Sequence, residues 1–263
     1  MAVCKIATWN VNSLRVRLPQ VLAWLEKTKP DVLALQEIKM LDADFPFALI
    51  AEAGYEAVVS GQKTYNGVAT LINKKISYEK TSIVKSIPNF ADPQKRILGV
   101  TIQNLHVFNL YVPNGEHIHS DKYQYKLNWL KQFDLYLRNE LAHSINVILM
   151  GDFNIAPQEI DVYDPKRWEG QVLFSDRERN MFYQLLQAGF NDCFRQLNPL
   201  TQEFSWWDYR LNAFNRNMGL RIDHILAKEA LASQCKKCYI DKNPRAQERP
   251  SDHAPVLAEF ALA

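Results

Sequence analysis

Acidic and amide side chains stand where several apolar segments of this sequence end or begin. These residues are Asn10, Glu37, Asp152, Asn154 and Asp252. Any one of them alone is better explained as a turn former, since Asp and Asn commonly end strands. If the segment ends converge, however, the five side chains form a cluster of oxygen donors. Such a cluster suits Mg²⁺, with Mn²⁺ as the alternative.

Asp223 differs from these residues because it lies inside an apolar segment, Arg221–Leu226. An acid in such a place is costly unless it is paired, and His253 is a natural partner. The adjacent His224 should point to the opposite face of a strand, so we expect it to be a surface or packing residue. Tyr111, in another apolar segment, is either an ordinary strand tyrosine or a donor to the site. An acidic cluster with one His and one Tyr indicates metal-assisted phosphoryl chemistry.

Short apolar runs bounded by turn residues predict the strands that must carry these side chains. The predicted strands are Val3–Trp9, Val32–Leu35, Val58–Ser60, Val68–Ile72, Ile97–Ile102, Val107–Val112, Val147–Met150, Ile222–Leu226 and Val256–Phe260. Because helical patterns lie between some of them, we expect an α/β fold of sheets packed face to face with helices outside.

Apolar residues at helical spacing predict three helices. They span residues 18–28, 121–142 and 176–188. Pro19 fits the first turn of the first helix, Ser120 is a possible cap for the second, and Gly189 would end the third.

Composition is typical of one folded domain, residues 1–263. Hydrophobic residues make up 47% of the chain and its net charge is +2, which permits a nucleic-acid partner without arguing for one. We find no signal-peptide pattern and no apolar run of membrane-spanning length, so we expect an intracellular, cytoplasmic protein. Cys235 and Cys238 have the spacing of a zinc or redox motif, but no second pair exists. Two incidental thiols are therefore favoured over a redox regulator.

Eight segments of the chain resemble exonuclease III and the related class II abasic-site endonucleases, within the endonuclease/exonuclease/phosphatase superfamily. The segments are Thr8–Arg15, Ala34–Lys39, Tyr65–Val68, Leu110–Gly115, Met150–Pro157, Phe204–Arg210, Gly219–Leu226 and Pro250–Val256. Gly-Asp-x-Asn and Ser-Asp-His mark the whole superfamily, whereas Trp-Trp-Asp-Tyr-Arg and Gly-Leu-Arg-Ile-Asp resemble its DNA-repair branch. The resemblance implies a four-layer α/β sandwich, two packed mixed β-sheets flanked by helices, with the active site at one end.

The same resemblance implies an Mg²⁺-dependent DNA repair phosphodiesterase. It would be a 3′-5′ exodeoxyribonuclease and apurinic/apyrimidinic endonuclease, hydrolysing the backbone 5′ to abasic sites and removing 3′ nucleotides or 3′ blocking groups. Its partner would be double-stranded DNA with abasic sites or 3′ ends, and the chain would act as a monomer.

The resemblance also implies roles for the oxygen-rich cluster. Glu37 would be the main direct metal ligand, and Asn10 and Asp252 would support the metal and its waters. Asp152 and Asn154 would face the metal too. Asp152 would orient or deprotonate the attacking water or act as proton donor, and Asn154 would hydrogen-bond the phosphate or the nucleophile.

Beside that cluster, His253 would contact the phosphate, oriented by Asp223 through its other ring nitrogen. Tyr111 would donate to a phosphate oxygen or act as a phenolate near the metal. Which of Asp152 and His253 is the general base stays open at this stage.

A second set of residues would contact DNA. It comprises Lys95, Arg96, Asn114, Trp206, Arg210, Arg216 and His253. By resemblance, Trp206 lines a pocket for a flipped abasic sugar or a 3′-terminal nucleotide, whereas Trp207 packs. Asn114 stands where exonuclease III itself has Gln, and residues 161–168 vary among relatives. These departures leave open the balance between abasic-site incision and exonuclease action.

Two other functions compete with this interpretation. A phosphoinositide or sphingolipid phosphodiesterase would share the superfamily motifs, but the Trp-Trp-Asp-Tyr-Arg block and the lack of membrane-seeking features argue against it. A non-catalytic nucleic-acid-binding module is disfavoured because every expected catalytic position is filled.

Overall fold

Two mixed β-sheets form the centre of the fold. The computed structural model describes residues 2–262, which contain twelve strands. The strands are β1 (Ala2–Asn10), β2 (Val32–Gln36), β3 (Tyr55–Ser60), β4 (Val68–Asn73), β5 (Glu79–Val84), β6 (Ile97–Ile102), β7 (Leu105–Tyr111), β8 (Val147–Asp152), β9 (Phe190–Asp192), β10 (Asp223–Lys228), β11 (Cys235–Ile240) and β12 (Val256–Leu262).

Seven α-helices connect the strands within the same range. The helices are α1 (Leu14–Thr28), α2 (Phe47–Glu52), α3 (Asp121–Glu140), α4 (Pro165–Trp168), α5 (Asp176–Gln187), α6 (Cys193–Leu197) and α7 (Glu229–Ala232). Single 3₁₀ turns occur at Asp42–Asp44, Glu159–Asp161, Arg210–Asn212 and Pro244–Ala246. None of the helices in residues 2–262 is long and apolar enough to cross a membrane.

Strand order shows that the two sheets are built alike. The first has the order β11-β12-β1-β2-β4-β3, and the second has the order β5-β6-β7-β8-β10-β9. In the first, β1 and β2 are parallel, and in the second β7 and β8 are parallel. The remaining pairs are antiparallel. Each sheet therefore carries one parallel pair whose carboxyl ends meet at one edge.

The sheets pack face to face, and helices cover their outer faces. Ile6 of β1 and Ile148 of β8 belong to the apolar layer between the sheets. Trp24 of α1 packs on the outer face of the first sheet, and Phe133 of α3 packs on that of the second. Burying a side chain of this size contributes about 2–3 kcal/mol to folding. The expected four-layer α/β sandwich is confirmed.

Helix ends follow from local chemistry, with one correction. Ser120 Oγ accepts a hydrogen bond from the Tyr123 N–H at 3.0 Å and so caps α3 as predicted. Gly189 follows α5 with φ +89°, a conformation in which glycine avoids the penalty of a Cβ. Pro19 was expected in the first turn, but α1 begins at Leu14 and holds the proline in its interior.

All nine predicted strands are present, while β5 and β9 were not predicted. Most of β5 is exposed and polar, and it pairs irregularly at the sheet edge, so it lacks a buried apolar face. β9 has only three residues. β11 was not predicted either, because Lys236 and Lys237 interrupt its apolar pattern.

Candidate active site

The polar strand ends converge at one edge of the sandwich. Asn10 and Gln36 are register partners at the carboxyl ends of β1 and β2. In the second sheet, Tyr111 and Asp152 are partners at the ends of β7 and β8. Strand β10 runs antiparallel to β8 and begins with Asp223 opposite Asp152. Topology alone thus brings side chains from both sheets together.

Gly151 allows Asp152 to lie at this edge. Its φ is +149°, and a Cβ added there would lie 1.9 Å from the Leu110 carbonyl oxygen of β7. Any other residue would push β8 away from β7 just before the carboxylate. The glycine of the Gly-Asp-x-Asn motif therefore has a steric explanation.

Asp152 is the centre of the site and is only 1% exposed. Its Oδ2 accepts from Asn10 Nδ2 at 2.9 Å and from Asn154 Nδ2 at 3.2 Å. Its Oδ1 accepts from the Asn154 N–H at 2.9 Å. Burial raises the pKa of Asp152 to about 7; a nearby imidazole opposes the shift, and the carboxylates of Asp223 and Glu37 reinforce it. The group can thus exchange a proton near neutral pH.

His253 and Asp223 form the pair that the sequence predicted. His253 Nδ1 donates to Asp223 Oδ2 at 2.8 Å, and His253 Nε2 lies 3.8 Å from Asp152 Oδ2. Burial disfavours the imidazolium, but the Asp223 and Asp152 carboxylates together raise the pKa of His253 to about 10. At neutral pH the imidazole is therefore cationic, with Nε2–H facing the site. Within residues 2–262, Asp223 Oδ1 is buried without a hydrogen-bond partner.

Glu37 reaches the site from the loop after β2, with a positive φ of 50°. Its Oε1 accepts from Asn10 Nδ2 at 2.9 Å, and its Oε2 pairs with Lys39 Nζ at 2.9 Å. Lys39 Nζ also donates to Asn12 Oδ1 at 2.6 Å. Sequence reasoning missed Lys39 and Asn12, since nothing in their type or spacing distinguishes them from surface residues.

Asp252 is tied to the same edge by two donors. Asn12 Nδ2 donates to its Oδ1 at 3.0 Å, and the Trp206 indole N–H donates to its Oδ2 at 3.0 Å. Asp252 thus connects the oxygen-rich cluster with the Trp-Trp-Asp-Tyr-Arg block, residues 206–210.

Two groups of side chains could hold a metal ion. In the part of the chain that the structure describes, donor atoms of Asp152, Asp223 and His253 lie within 4.8 Å of one another. However, the imidazolium and carboxylate of His253 and Asp223 neutralise each other, and a protonated nitrogen cannot bind a cation. The oxygens of Glu37 and Asn10 are better candidates, because they are hard donors without a protonated nitrogen among them, and Asn12 bonds both Asn10 and Asp252.

Asn154 donates hydrogen bonds toward Asp152, and its expected place facing the metal stays a prediction. Its Oδ1 accepts from Asn114 Nδ2 at 3.0 Å. Its Nδ2 donates to the Val112 carbonyl oxygen at 2.9 Å as well as to Asp152. The side chain therefore fixes the carboxylate through its amide group.

Tyr111 and Arg96 lie together beside the carboxylates. Burial and the Glu37 carboxylate raise the pKa of Tyr111 well above its ordinary value, although Arg96 opposes the shift. The side chain is thus a neutral phenol and a hydrogen-bond donor. Arg96 was expected to meet phosphate, but it is only 8% exposed. Its guanidinium stacks 4.7 Å from the centre of the Tyr111 ring, where it supports the tyrosine.

The Trp-Trp-Asp-Tyr-Arg block lies next to His253. Trp206 and His253 form an isolated β-bridge, which places the Trp206 indole at the site. That indole and Trp168 line a cavity of about 460 Å³, with Arg210 also in its wall. Trp207 is completely buried, as predicted, and packs edge-on against Phe214 at 5.0 Å.

The other residues of the predicted DNA-binding set are more exposed. Arg210 and Arg216 are exposed on the same loop, and Arg210 is paired with Asp208 at 2.6 Å. Asn114 is exposed beside Asn154, and Lys95 is half-buried. The exposed arginines are free to reorient toward a polyanion.

His224 and Arg221 lie on the opposite side of β10, in a buried network. His224 was expected to be a surface or packing residue, and it packs: it is 1% exposed, lies against the Phe153 and Phe182 rings, and bonds to the Ile155 carbonyl oxygen at 2.8 Å. Arg221 pairs with Asp161 at 2.7 Å and with Asp192 at 2.8 Å. It is therefore a structural residue and not one of the DNA-facing cations.

Comparisons with known proteins show the family and support the fold. A sequence model of the Endonuclease/Exonuclease/phosphatase family matches residues 7–253. Exodeoxyribonuclease III of Haemophilus influenzae is 39% identical, over 97% of this chain and 99% of that protein. The structure of the 3′-5′ exonuclease NExo from Neisseria meningitidis is 44% identical, with a TM-score of 0.93, over 97% and 99% of the two chains. An AP endonuclease from Archaeoglobus fulgidus is 39% identical, with a TM-score of 0.93, over 98% and 100%.

Proposed function

The chain belongs to the endonuclease/exonuclease/phosphatase family and to its exonuclease III branch, and we propose that it is an Mg²⁺-dependent DNA repair nuclease. It hydrolyses the DNA backbone 5′ to abasic sites and removes 3′ nucleotides or 3′ blocking groups. The relatives support a DNA substrate, since their names describe an exodeoxyribonuclease, a 3′-5′ exonuclease and an AP endonuclease.

One observation carries the proposal. A carboxylate with a raised pKa, Asp152, lies 3.8 Å from the cationic Nε2–H of His253 at the oxygen-rich edge of both sheets. A proton acceptor beside a fixed cationic donor suits the hydrolysis of an anionic ester.

Residues Glu37, Asn10 and Asp252 would hold the metal ion. A bound Mg²⁺ supplies charge neutralisation at a phosphate oxygen and at the leaving oxygen. Among the described residues, Asn10 Oδ1 accepts only the Asn12 N–H, at 3.0 Å, so its second lone pair can bind a metal. The same position is open to Mn²⁺, whose preference for oxygen ligands is similar.

The protein's own groups then divide the work. Asp152 accepts the proton of the attacking water, since its pKa of about 7 suits a general base. His253 keeps its proton and donates Nε2–H to a phosphate oxygen, and Asp223 holds the ring in that orientation. The Tyr111 hydroxyl donates a hydrogen bond to a phosphate oxygen, and Asn154 keeps Asp152 in position.

The Trp206 cavity is proposed to receive the sugar or terminal nucleotide beside the scissile bond. Its indole faces are suited to stacking, and Arg210 at its wall is suited to phosphate. Few groups there read base edges, so we expect binding that is independent of sequence and weakened by salt.

Two labelled duplexes test the proposal directly. One carries an internal abasic site and the other a recessed 3′ end, and each is incubated with Mg²⁺ or with EDTA. We expect cleavage of at least one duplex with Mg²⁺ and none with EDTA. Full activity in EDTA, or no cleavage of either DNA with Mg²⁺ or Mn²⁺, would overturn it.

A monomeric, cytoplasmic enzyme is part of the same proposal. Light scattering should give the mass of one chain, and fractionation of cells should recover the protein with the cytoplasm. A dimer mass or a membrane fraction would contradict these two points.

A further inference from the structure

Lys126 of α3 is a fully buried lysine next to the site, with a side chain that is 0% exposed. Its Nζ donates to the Asn154 carbonyl oxygen at 2.6 Å and to the Asn114 carbonyl oxygen at 3.1 Å. It also donates to the carboxylate of Glu178. An ammonium group has three N–H donors, so all of them are used.

The charge of this lysine needs an explanation, because removing an ammonium from water is costly. Glu178, also fully buried, balances the charge and accepts from the Leu173 N–H at 3.0 Å and the Ser175 N–H at 3.1 Å. A buried ion pair is weak evidence for stability, because an apolar pair of similar size often does as well. The Lys126 ammonium also holds the main-chain carbonyl groups of Asn114 and Asn154, and these contacts indicate a role beyond stability.

The two carbonyl partners, Asn114 and Asn154, are joined by a side-chain hydrogen bond, and the Asn154 side chain also contacts Asp152. Asn154 has a left-handed backbone, with φ 50°, which a non-glycine residue adopts at a cost. In that conformation both its N–H and its Nδ2 reach the Asp152 carboxylate. Asn114 Nδ2 donates to Asn154 Oδ1 at 3.0 Å and holds the amide from its other end.

We propose that Lys126 is a positioning residue of the nuclease reaction, fixing the backbones of Asn114 and Asn154 so that the Asn154 amide stays on Asp152. The inference rests on the proposed function. Lys126 touches neither the substrate nor the reacting atoms, and it acts through two loops that come from different strands, β7 and β8.

Three variants separate positioning from simple stability. Lys126→Met removes the ammonium and keeps most of the apolar stem. Lys126→Met/Glu178→Gln removes both charges, and Gln preserves the capping box with Ser175 that begins α5. Leu137→Ala, also buried on α3, is the control because it opens a cavity in the helix packing.

Single-turnover cleavage, steady-state kinetics and melting curves are then compared. We expect Lys126→Met to lower both the melting temperature and kcat, with kcat down at least tenfold and KM within threefold. The double variant should regain most of the melting temperature but stay at least tenfold low in kcat. Leu137→Ala should melt early with kcat within twofold of the natural chain.

The double variant decides the matter even if Lys126→Met does not fold. Wild-type kcat in the folded double variant would overturn the inference, since the ion pair would then serve stability alone. A natural chain that cuts neither duplex would instead contradict the proposed function, so the two failures are distinguishable.

Discussion

Strand β10 separates two buried clusters of similar composition. Asp223 faces the edge where Asp152 and His253 lie, whereas the next residue, His224, faces the network around Arg221. Each cluster combines carboxylates with an imidazole, and each is almost completely buried. They differ in how their charges are balanced.

In the Arg221 network the charges are matched by direct contacts. Arg221 pairs with Asp161 at 2.7 Å and Asp192 at 2.8 Å, and Arg195 adds a second bond to Asp161 at 2.6 Å. Although burial opposes ionisation, Arg221 and His224 hold the pKa of Asp192 far below its ordinary value. Both arginines thus lie against carboxylates of the network, although Arg221 Nη2 and Arg195 Nε have no hydrogen-bond partner in the described residues.

At the active-site edge the carboxylates outnumber the cations. The pKa of Asp152 is raised to about 7, and Asp223 Oδ1 has no hydrogen-bond partner in the described residues. Burial of charged side chains does not by itself mark an active site. The incompletely balanced cluster is the one suited to a metal ion and a phosphate.

The largest effect is expected at His253. His253→Gln removes the cationic donor and should lower kcat roughly 10²–10⁴-fold, while the protein remains folded. Steady-state kinetics on the abasic duplex measure the loss, and circular dichroism checks the fold. Activity within threefold of the natural chain would mean that the His253 cluster is not needed for catalysis.

Asp192→Asn should show the converse behaviour. It leaves Arg221 with one carboxylate fewer, which should lower the free energy of unfolding by about 3 kcal/mol with kcat unchanged. Urea unfolding measures this change in the free energy of unfolding. Asp134→Asn in the exposed pair with Arg138 is the control, and it should cost only about 0.5 kcal/mol. Equal effects of the two variants would refute the structural role of the network.

Metal binding should stabilise the active-site edge only. Mg²⁺ at about 100 times its dissociation constant should raise the free energy of unfolding by about 2.7 kcal/mol, and EDTA should reverse the gain. Glu37→Gln should lose most of this increase, whereas Asp192→Asn should keep it. A melting temperature that ignores Mg²⁺ in the natural chain would count against the assigned oxygen donors.

The pH dependence of stability should have opposite signs in the two clusters, at most about 1.4 kcal/mol per pH unit for each carboxyl. Asp152 is protonated more readily when folded, so in EDTA its contribution falls as pH rises from 3.8 to about 7. Asp192 has a lowered pKa, so its contribution is present above pH 3.8 and is lost as pH falls below that value.

Urea unfolding from pH 3 to 7.5 separates the two carboxyls. Asp152→Asn should flatten the slope between pH 4 and 7, and Asp192→Asn should flatten the acid-side loss. An unchanged slope in Asp152→Asn would show that its carboxyl ionises normally.

The sequence predicts the central residues because they break a pattern. Asp223 interrupts an apolar strand, and Asn10, Glu37 and Asp152 follow or end one, so strand topology alone brings them together. Strand alternation also predicts that His224 faces away from Asp223. It does not predict what covers that face, because Asp161 ends a 3₁₀ turn and Asp192 ends β9, both distant from His224 in sequence.

Residues that support the site indirectly could not be predicted. Lys126 lies on an ordinary amphipathic helix, and its partners Asn154 and Glu178 are 28 and 52 residues away in sequence. Lys39 and Asn12 look like solvated surface residues. The roles of these residues depend on contacts between segments that are distant in sequence, and no local spacing encodes such contacts.

DNA cleavage by two aspartate variants, measured side by side, tests whether Asp152 is catalytic while Asp192 is structural. Asp152→Asn and Asp192→Asn are each mixed with the abasic and recessed-end duplexes in single-turnover reactions, with Mg²⁺ or EDTA. With Mg²⁺, Asp192→Asn should cut at the natural rate and Asp152→Asn roughly 10²–10⁴-fold more slowly. Comparable rates for the two variants, or cleavage that persists in EDTA, would contradict the account.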